Sequence, residues 1–327
     1  MRALLSLLSA LALSGCGTLS YYAQSVGGHL DLTSRARRVD EVLADANSPP
    51  ALKERLKTAA AIREFASRDL KLPDNGSYRS YAELDRPYAV WNVVAAPEFS
   101  LQPVQSCFAI AGCVAYRGYY AKRAAEKYAD HLRTQGNDVM VYGVPAYSTL
   151  GWFDDPLLST FIDYPDAALA RLMFHELAHQ VVYVKDDSTF NESFAVVIER
   201  EGLRRWLAAN GRTGEQPRGQ DKFAALVAST RVKLEALYRM RLAPDAMRER
   251  KRAELEALRP WLASLRGFEG VVPNNAFLAS YVTYTDRVPM FERMLAESKG
   301  ELPDFYARVK QLASERSSQD PSSALSR

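Results

Sequence analysis

The apolar positions of the chain follow two different periods. Residues 88–96 and 139–147 are rich in aromatic and β-branched side chains, which is typical of strands, and residues 107–116 are expected to be extended. Elsewhere the apolar residues recur at helical spacing. The helices predicted in this way span residues 34–46, 50–70, 118–134, 163–184, 191–209, 220–241, 244–265, 274–297 and 302–314. The pattern predicts an α+β fold that is mostly helical, with a small sheet in the N-terminal half.

The same pattern indicates how the chain is organised. One body is expected over residues 33–314, with the small sheet and first helices in 33–162 and the remaining helices in 163–314. Pro145 lies in the second predicted strand, and because proline cannot donate a ladder hydrogen bond, that strand is expected at a sheet edge. Residues 315–327 are polar and rich in serine, which predicts a disordered tail.

Composition and charge narrow the function classes. The 327 residues are 47% hydrophobic and 25% charged, which is typical of a globular protein with a substantial core. The formal charge is only +3, and no basic stripe with interleaved aromatic residues is present. We therefore expect no nucleic-acid partner.

The N-terminus has the features of a secretory signal peptide over residues 1–15. Arg2 is followed by an apolar run over residues 3–12, which is too short to span a bilayer. Leu13-Ser14-Gly15-Cys16 resembles the lipobox of bacterial lipoproteins, which implies a lipid anchor at Cys16 and a polar, glycine-containing tether over residues 16–32. Cleavage after Ala12, with Cys16 unmodified, is the alternative.

The residue that follows the lipobox cysteine indicates to which membrane the protein is attached. Inner-membrane lipoproteins of Gram-negative bacteria typically carry Asp there, whereas this chain has Gly17. The resemblance thus implies attachment to the outer membrane, facing the periplasm. If Cys16 is lipidated, Cys107 and Cys113 remain, and in an oxidising compartment a disulfide between them is expected. The alternative is a two-cysteine metal site, although cysteine zinc sites usually need four closely spaced ligands.

A metal-site motif lies in the predicted helix over residues 163–184. His175-Glu176-Leu177-Ala178-His179 matches H-E-x-x-H, in which two histidines four residues apart share one helix face and can bind a single zinc ion. Glu176 can then take a proton from water that the metal activates. The alternative is a core helix whose histidines only form hydrogen bonds. His29 and His131 lie outside any motif and are expected to be ordinary histidines.

A second motif follows on the next predicted helix. Residues 191–195 read NESFA, and at this point the chain resembles the glutamate-zincin peptidases, in which a glutamate follows HExxH; the aminopeptidase N family has NEGFA. Lipobox, HELAHQ and NESFA together resemble a family of bacterial lipoproteins described as zinc aminopeptidases. The resemblance implies zincin-like active-site helices, zinc ligands His175, His179 and Glu192, and Glu176 as general base.

Two alternatives to this ligand set stay open. Glu199 lies seven residues after Glu192 on the same helix face and is the second candidate for the third ligand. Glu192 could also be a helix-start glutamate that the helix dipole favours. The GAMEN motif, by which aminopeptidase N recognises a free α-amine, is absent, so exopeptidase activity is implied by resemblance alone.

Other segments could form the substrate cleft. A peptide could add to the edge strand over residues 139–147, and residues 147–155 could form a cleft wall. Asp154 and Asp155 could bind an α-amine or only cap a turn. A hydroxyl donor for the reaction oxyanion could come from Tyr281 or Tyr284, of which Tyr284 is the candidate; either could equally be a core aromatic.

These observations lead to one main function hypothesis. The sequence predicts a zinc-dependent aminopeptidase of the bacterial cell envelope that acts on peptides or proteins. An envelope endopeptidase and a non-catalytic zinc-containing scaffold or chaperone are the alternatives. No fourth His or Cys lies near the motif, and catalytic zinc sites keep one position open whereas structural sites are usually closed by four protein ligands.

Overall fold

The computed structural model describes residues 20–108, 112–146, 148–212, 220–263 and 271–319. Within these ranges the secondary structure is mostly helical with small sheets, and the predicted α+β class is confirmed. The helices are α1 (residues 20–34), α2 (Val39–Ala44), α3 (Pro50–Arg68), α4 (Lys122–Thr134), α5 (Asp166–Ala178), α6 (Ser188–Ala209), α7 (Gln220–Tyr238), α8 (Pro244–Glu256), α9 (Arg259–Ala263), α10 (Asn275–Thr285), α11 (Val288–Glu297) and α12 (Leu302–Gln319).

The strands form small sheets that all lie before α5. They are β1 (Arg37–Arg38), β2 (Ser80–Ala82), β3 (Val90–Pro97), β4 (Ser106–Phe108), β5 (Gly112–Val114), β6 (Arg117–Tyr119), β7 (Asn137–Val144) and β8 (Leu157–Leu158). β3 pairs antiparallel with β6 on one side and with β7 on the other, while β1–β2–β8 and the β4–β5 hairpin form separate sheets. β7 lies at the edge of its sheet, as Pro145 predicts.

Alternation along β3 gives its two faces different neighbours. Val93 and Ala95 pack against α4, whereas Val94 packs among residues of the helical half. Successive side chains of a strand point to opposite faces, so the even-numbered positions turn toward the helices that follow. The central sheet therefore lies between α4 and the C-terminal helices, and one face of it can line a cavity there.

Helices α5 and α6 pack against each other inside the largest apolar core. Phe174, Leu177 and Phe194 are fully buried in this core. Gly202 allows the close approach, because a Cβ there would lie 2.7 Å from the ring of Phe174. The two helices that carry the sequence motifs are thus held by tight packing over most of their length.

Several predicted helix limits are wrong, and tertiary pairing explains one of the errors. The helix predicted over 118–134 begins only at Lys122, because residues Arg117–Tyr119 pair with β3 as β6. The helix predicted over 163–184 ends at Ala178. The helices predicted over 244–265 and 274–297 are each divided into two, α8 with α9 and α10 with α11.

The two ends of the described chain also differ from expectation. From residue 20 the predicted tether is helical as α1, with Leu32 fully buried and Tyr21 stacked on Phe108 at 5.3 Å between ring centroids. The helix predicted over 34–46 is divided among the end of α1, β1 and α2. At the other end α12 continues to Gln319, beyond the predicted start of the tail at residue 315.

Some features of the sequence analysis fall outside the described residues. These are the signal peptide, Cys16, Tyr147 and the last eight residues of the tail, 320–327. Among the helices that are described, none combines the length and the apolar character needed to cross a membrane.

Candidate metal centre

Helix α5 brings the two motif histidines onto one face. His175 and His179 are one helical turn apart, and their ring centroids lie 5.0 Å from each other. Both side chains are largely buried, with 12% and 7% of their surface exposed. Two imidazoles on one buried helix face can bind the same metal ion.

Glu192 on α6 completes a cluster with these histidines. Its Oε2 lies 3.2 Å from His175 Nε2 and 3.6 Å from His179 Nε2. Ligands at the usual distance of about 2.0–2.1 Å from a tetrahedral zinc are separated by roughly 3.3 Å, so both distances suit a common ion. One ligand atom from each of the three residues lies within 4.8 Å of the others, and the donor set of two imidazoles and one carboxylate is suitable for zinc.

The short connection between α5 and α6 is closed by hydrogen bonds. The side chain of Asn191 accepts from Val184 N and donates to Val184 O, both at 2.8 Å, and Asn191 is 2% exposed. Asp186 adopts a φ of 66°, and Asp187 caps α6 by accepting from Phe190 N. This tight return presents Glu192 in the first turns of α6, next to the end of α5.

Glu199, the other candidate for the third ligand, binds the opposite side of His175. Its Oε2 lies 3.1 Å from His175 Nδ1, and its Oε1 accepts two hydrogen bonds from Arg171. It therefore lies behind the imidazole, on the nitrogen that faces away from Glu192. The geometry favours Glu192 as a ligand and gives Glu199 the position of a residue that orients His175.

The cluster concentrates acidic groups around two imidazoles. Burial disfavours the ionised form of Glu192, but His179 and His175 outweigh it and lower its pKa to about 2. Burial likewise disfavours a charged His175, yet Glu192 and Glu199 raise its pKa well above the usual value. For Glu176 burial prevails and raises the pKa, although the two imidazoles oppose it. A cation bound among these groups would balance their charge.

A cavity of about 450 Å³ opens onto this cluster. Glu176 and Tyr284, the two candidate catalytic residues, both line it together with His175, His179 and Glu192. The Tyr284 ring stacks on His175, with centroids 6.1 Å apart, and burial raises its pKa well above the usual value, so the phenol stays protonated. Tyr281 does not line the cavity and packs on Phe223 at 5.4 Å in a separate core.

The rest of the cavity wall comes from residues that the sequence analysis does not single out. Tyr116 and Tyr183 line the cavity close to the cluster; burial raises the pKa of both, to about 12 for Tyr183, and Glu192 adds to the effect. Tyr183 lies four residues after His179, a signal that sequence reading could have used. Tyr116, which lies between β5 and β6, has no such local signal.

Helix α1 and the β4–β5 hairpin form the outer part of the wall. Tyr21 and Tyr22 from α1 and Phe108 and Val114 from the hairpin line the cavity. Gln24 holds α1 to the sheet region by accepting from the backbone N–H of Tyr120. In the hairpin, Cys107 and Cys113 face each other across the two strands.

Those two cysteines form a disulfide. Cys107 pairs with Cys113 in the antiparallel register of β4 and β5, and their sulfur atoms are bonded. The backbone N–H of Cys113 donates to the carboxylate of Asp186, in the connection between α5 and α6. The hairpin is therefore attached to the segment that joins the two metal-site helices.

The remaining candidates lie outside the cavity. Asp155 is 3% exposed, and its carboxylate accepts from Thr149 N within the loop over residues 148–155, while neither it nor Asp154 lines the cavity. Of that loop, Ser148 and Leu150 do reach the wall. Neither acidic residue is therefore in position to receive a substrate amine.

The two other histidines also lie apart from the cluster. His29 packs on Phe153, with ring centroids 4.7 Å apart, and His131 is an exposed residue near the end of α4. Neither belongs to the group of candidate metal ligands found in the described ranges. The candidate chemistry is thus concentrated at α5 and α6.

Similarity to a known protein family covers nearly the whole chain. The sequence model of a protein family described as “Putative aminopeptidase” matches residues 20–323. A search of curated proteins and a search of solved structures each found no match. The family match begins at α1 and includes the three candidate metal ligands and every residue of the cavity wall. This chain belongs to the Putative aminopeptidase family.

Proposed function

We propose that this protein is a zinc-dependent aminopeptidase that hydrolyses peptide bonds. The observation that carries the proposal is the convergence of His175 Nε2, His179 Nε2 and Glu192 Oε2 at the wall of a cavity that Glu176 also lines. Family membership supports a peptidase role. Zinc held by these three residues would supply a Lewis acid that polarises the substrate carbonyl and activates water.

Glu176 would carry out both proton transfers of the reaction. Glu176 takes one proton from the attacking water as the C–O bond forms, and it delivers that proton to the nitrogen as the C–N bond breaks. The products are a carboxylic acid and an amine, so one water is consumed for each peptide bond. Burial raises the pKa of Glu176, which makes it a stronger base once it is ionised.

Tyr284 is the proposed hydroxyl donor to the oxygen of the tetrahedral intermediate. It stacks on His175 and lines the cavity, and its raised pKa keeps a proton available for donation. Tyr281 is not proposed for this role, because it packs in a different core.

The charge of the cavity supports cleavage away from a substrate's C-terminus. Among the described residues that line it, Glu176 and Glu192 are acidic and none is Lys or Arg. A substrate carboxylate bound there would find no Lys or Arg to pair with, which argues against a carboxypeptidase. An endopeptidase remains the second candidate, since the described lining offers no carboxylate besides Glu176 and Glu192 to hold a free amine.

The number of candidate ligands supports catalysis over a structural role. The described part of the chain contributes His175, His179 and Glu192 to the cluster, whereas a structural zinc site is usually closed by four protein ligands. Three ligands beside a cavity leave room for water and a substrate carbonyl. A zinc-containing scaffold would need no such opening.

Substitution of the general base tests the proposal. Glu176→Gln should retain zinc and fold but lose activity by about 10²- to 10⁴-fold, because glutamine cannot accept the proton. His175→Ala should instead lower zinc affinity and stability, since bound metal stabilises the folded state. Wild-type zinc content near zero, or full activity in Glu176→Gln, would refute catalysis by this site.

A peptide-cleavage assay distinguishes an aminopeptidase from an endopeptidase. Free-amine aminoacyl substrates should be compared with N-blocked peptides of the same sequence. Cleavage confined to the free-amine set is expected for an aminopeptidase, and equal cleavage of both sets would make the protein an endopeptidase.

We also propose that the protein is lipid-anchored at Cys16 in the bacterial outer membrane and faces the periplasm. The lipobox resemblance and Gly17 support this location. A palmitate analogue should label the wild type but not Cys16→Ala, and the label should fractionate with outer membranes. A soluble, unlabelled wild-type protein would indicate cleavage after Ala12 instead.

A further inference from the structure

Away from the metal cluster, the cavity is lined mainly by apolar and aromatic side chains. Val90 and Val144 are paired residues of β3 and β7, so they lie side by side on the sheet face that turns to the cavity. Phe108 and Val114 come from the disulfide-linked hairpin. Tyr116 lines the same cavity. We call these five residues the apolar wall.

The apolar wall offers no oppositely charged group to a charged substrate side chain. Of the carboxylates in the lining, Glu192 faces both imidazoles of the metal cluster, and Glu176 is the proposed base. The described lining contains no Lys or Arg. A charged side chain buried against the apolar wall would therefore lose hydration without forming an ion pair. An apolar side chain would gain from leaving water.

The size of the cavity limits what can enter. About 450 Å³ is within the range of roughly 300–1,000 Å³ that small-molecule sites occupy. This volume can hold one large side chain with its adjoining backbone, but it is too small for a long peptide segment.

We infer that the apolar wall is the specificity pocket of the enzyme, and that it receives an aromatic or branched aliphatic side chain of the substrate residue next to the cleaved bond. The inference rests on the proposed peptidase function, whose substrate class it specifies. It follows from the apolar wall, the absence of Lys and Arg from the described lining and the cavity volume.

A glycine elsewhere in the cavity lining provides a way to change the volume of the pocket. Gly118 of β6 pairs with Asn92 of β3, and both line the cavity. A Cβ at position 118 would lie 3.3 Å from the side-chain oxygen of Asn92, so a larger residue there reaches into the lining. Gly27 of α1 is a matched control, because it does not line the cavity and a Cβ there would meet nothing within 4 Å.

The test uses peptides that are identical except for the residue next to the cleaved bond, which is Ala, Leu, Phe, Lys or Glu. The Leu or Phe peptide should have a kcat/KM about 10- to 200-fold above that of the Ala peptide, and the Glu and Lys peptides should not exceed Ala. Gly118→Val should lower kcat/KM for the Phe peptide about tenfold more than for the Ala peptide. Gly27→Val should leave all the ratios unchanged.

The outcomes distinguish the inference from the proposed function. Cleavage that favours the Lys or Glu peptide, or ignores the side chain, would overturn the apolar pocket and leave peptidase activity intact. If no peptide is cleaved, the proposed function fails, and calorimetric titration of zinc-loaded Glu176→Gln with the Phe and Glu peptides still tests the pocket. Tighter binding of the Phe peptide would support the pocket, whereas equal, reversed or undetectable binding would refute it.

Discussion

Glu192 and Glu199 show how position around one side chain separates two residues of the same type. Both lie on α6, but Glu192 faces Nε2 of His175 and Glu199 faces Nδ1. Arg171 holds Glu199 from the other side. Glu199 can thus fix the orientation and the tautomer of His175 while Glu192 remains available as a ligand.

This arrangement predicts a graded response to substitution of Glu199. Glu199→Ala should lower zinc affinity about 10- to 100-fold, because His175 loses the acceptor that orients it. Glu199→Gln should lose less, since its amide oxygen can still accept from Nδ1. Competition with a chelator of known affinity measures the effect.

Glu201 provides the control for that experiment. It lies on the same helix with the same side-chain exposure of 13%, but its carboxylate pairs with Arg204 and Arg205. Glu201→Ala should leave zinc affinity unchanged. Equal zinc affinities for Glu199→Ala and the wild type would show that Glu199 does not support metal binding through His175.

Asp155 is predicted to make stability depend on pH. Burial raises its pKa from 3.8 to about 7, although the hydrogen bond from Thr149 opposes the shift. Between these two pH values the unfolded chain releases the proton while the folded protein keeps it, so stability falls as pH rises. Above pH 7 the full cost is present, up to about 4 kcal/mol.

Denaturant titrations at pH 4, 6 and 8 check this prediction. Asp155→Asn cannot ionise, so its free energy of unfolding should fall less than that of the wild type between pH 4 and pH 8. Parallel pH profiles for the two proteins would show that Asp155 does not contribute.

At the scale of elements, the β4–β5 hairpin connects the cavity wall to the segment between helices α5 and α6. Phe108 and Val114 contribute to the cavity wall, and Cys113 donates to Asp186 between α5 and α6. Gly112 adopts a φ of 74°, and a Cβ there would lie 2.5 Å from the Asp186 side chain. The hairpin can pack so closely on this connection only with glycine at that position.

Removal of the disulfide is predicted to affect substrate binding more than metal binding. Cys107 and Cys113 are separated by six positions, and loss of so small a closed loop should cost about 2 kcal/mol of unfolding free energy. The Cys107→Ser, Cys113→Ser double variant should raise KM, because Phe108 and Val114 are less well held. Its zinc content should match that of the wild type.

A reducing agent provides a second measurement of the same effect. It should raise the KM of the wild type toward that of the double variant and leave the double variant unchanged. An unaltered KM in both cases would mean that the hairpin keeps its place without the disulfide.

At the scale of the whole molecule, Asp187 joins three helices at the site. It caps α6 through Phe190 N, and its Oδ2 lies 2.6 Å from both Arg287, just before α11, and Arg316 on α12. The guanidinium of Arg316 also lies 5.6 Å from the centroid of the Phe190 ring. The last helix is thereby attached to the start of the helix that carries Glu192.

Asp187 variants should separate the cap from the ion pairs. Asp187→Asn keeps a capping side chain and should lose about 1 kcal/mol of stability, the contribution of partly exposed ion pairs. Asp187→Ala loses the cap as well and should cost about 2–3 kcal/mol. Thermal unfolding of both variants measures the difference.

A pair of truncations tests the role of α12. A chain that ends after Glu315 lacks Arg316 and should be less stable than one that ends after Gln319. Equal stability of the two truncations would show that residues 316–319 do not stabilise the fold.

The sequence by itself determined the features that depend on neighbours along the chain. Helical spacing made His175 and His179 share one face, and β-branched runs identified β3 and β7. These follow because backbone geometry repeats every 3.6 residues in a helix and every two in a strand. The cysteine count and the expected compartment also predicted the disulfide between Cys107 and Cys113, which the structure contains.

Only the tertiary structure decided which distant residues meet. It separated Glu192 from Glu199 and Tyr284 from Tyr281, although each pair has one residue type on one helix. It made residues 117–119 a strand through pairing with β3, and it brought α1 to the cavity wall. The physical reason is that such contacts depend on how whole elements pack, and packing between elements far apart in the chain leaves no periodic signal in the sequence of either one.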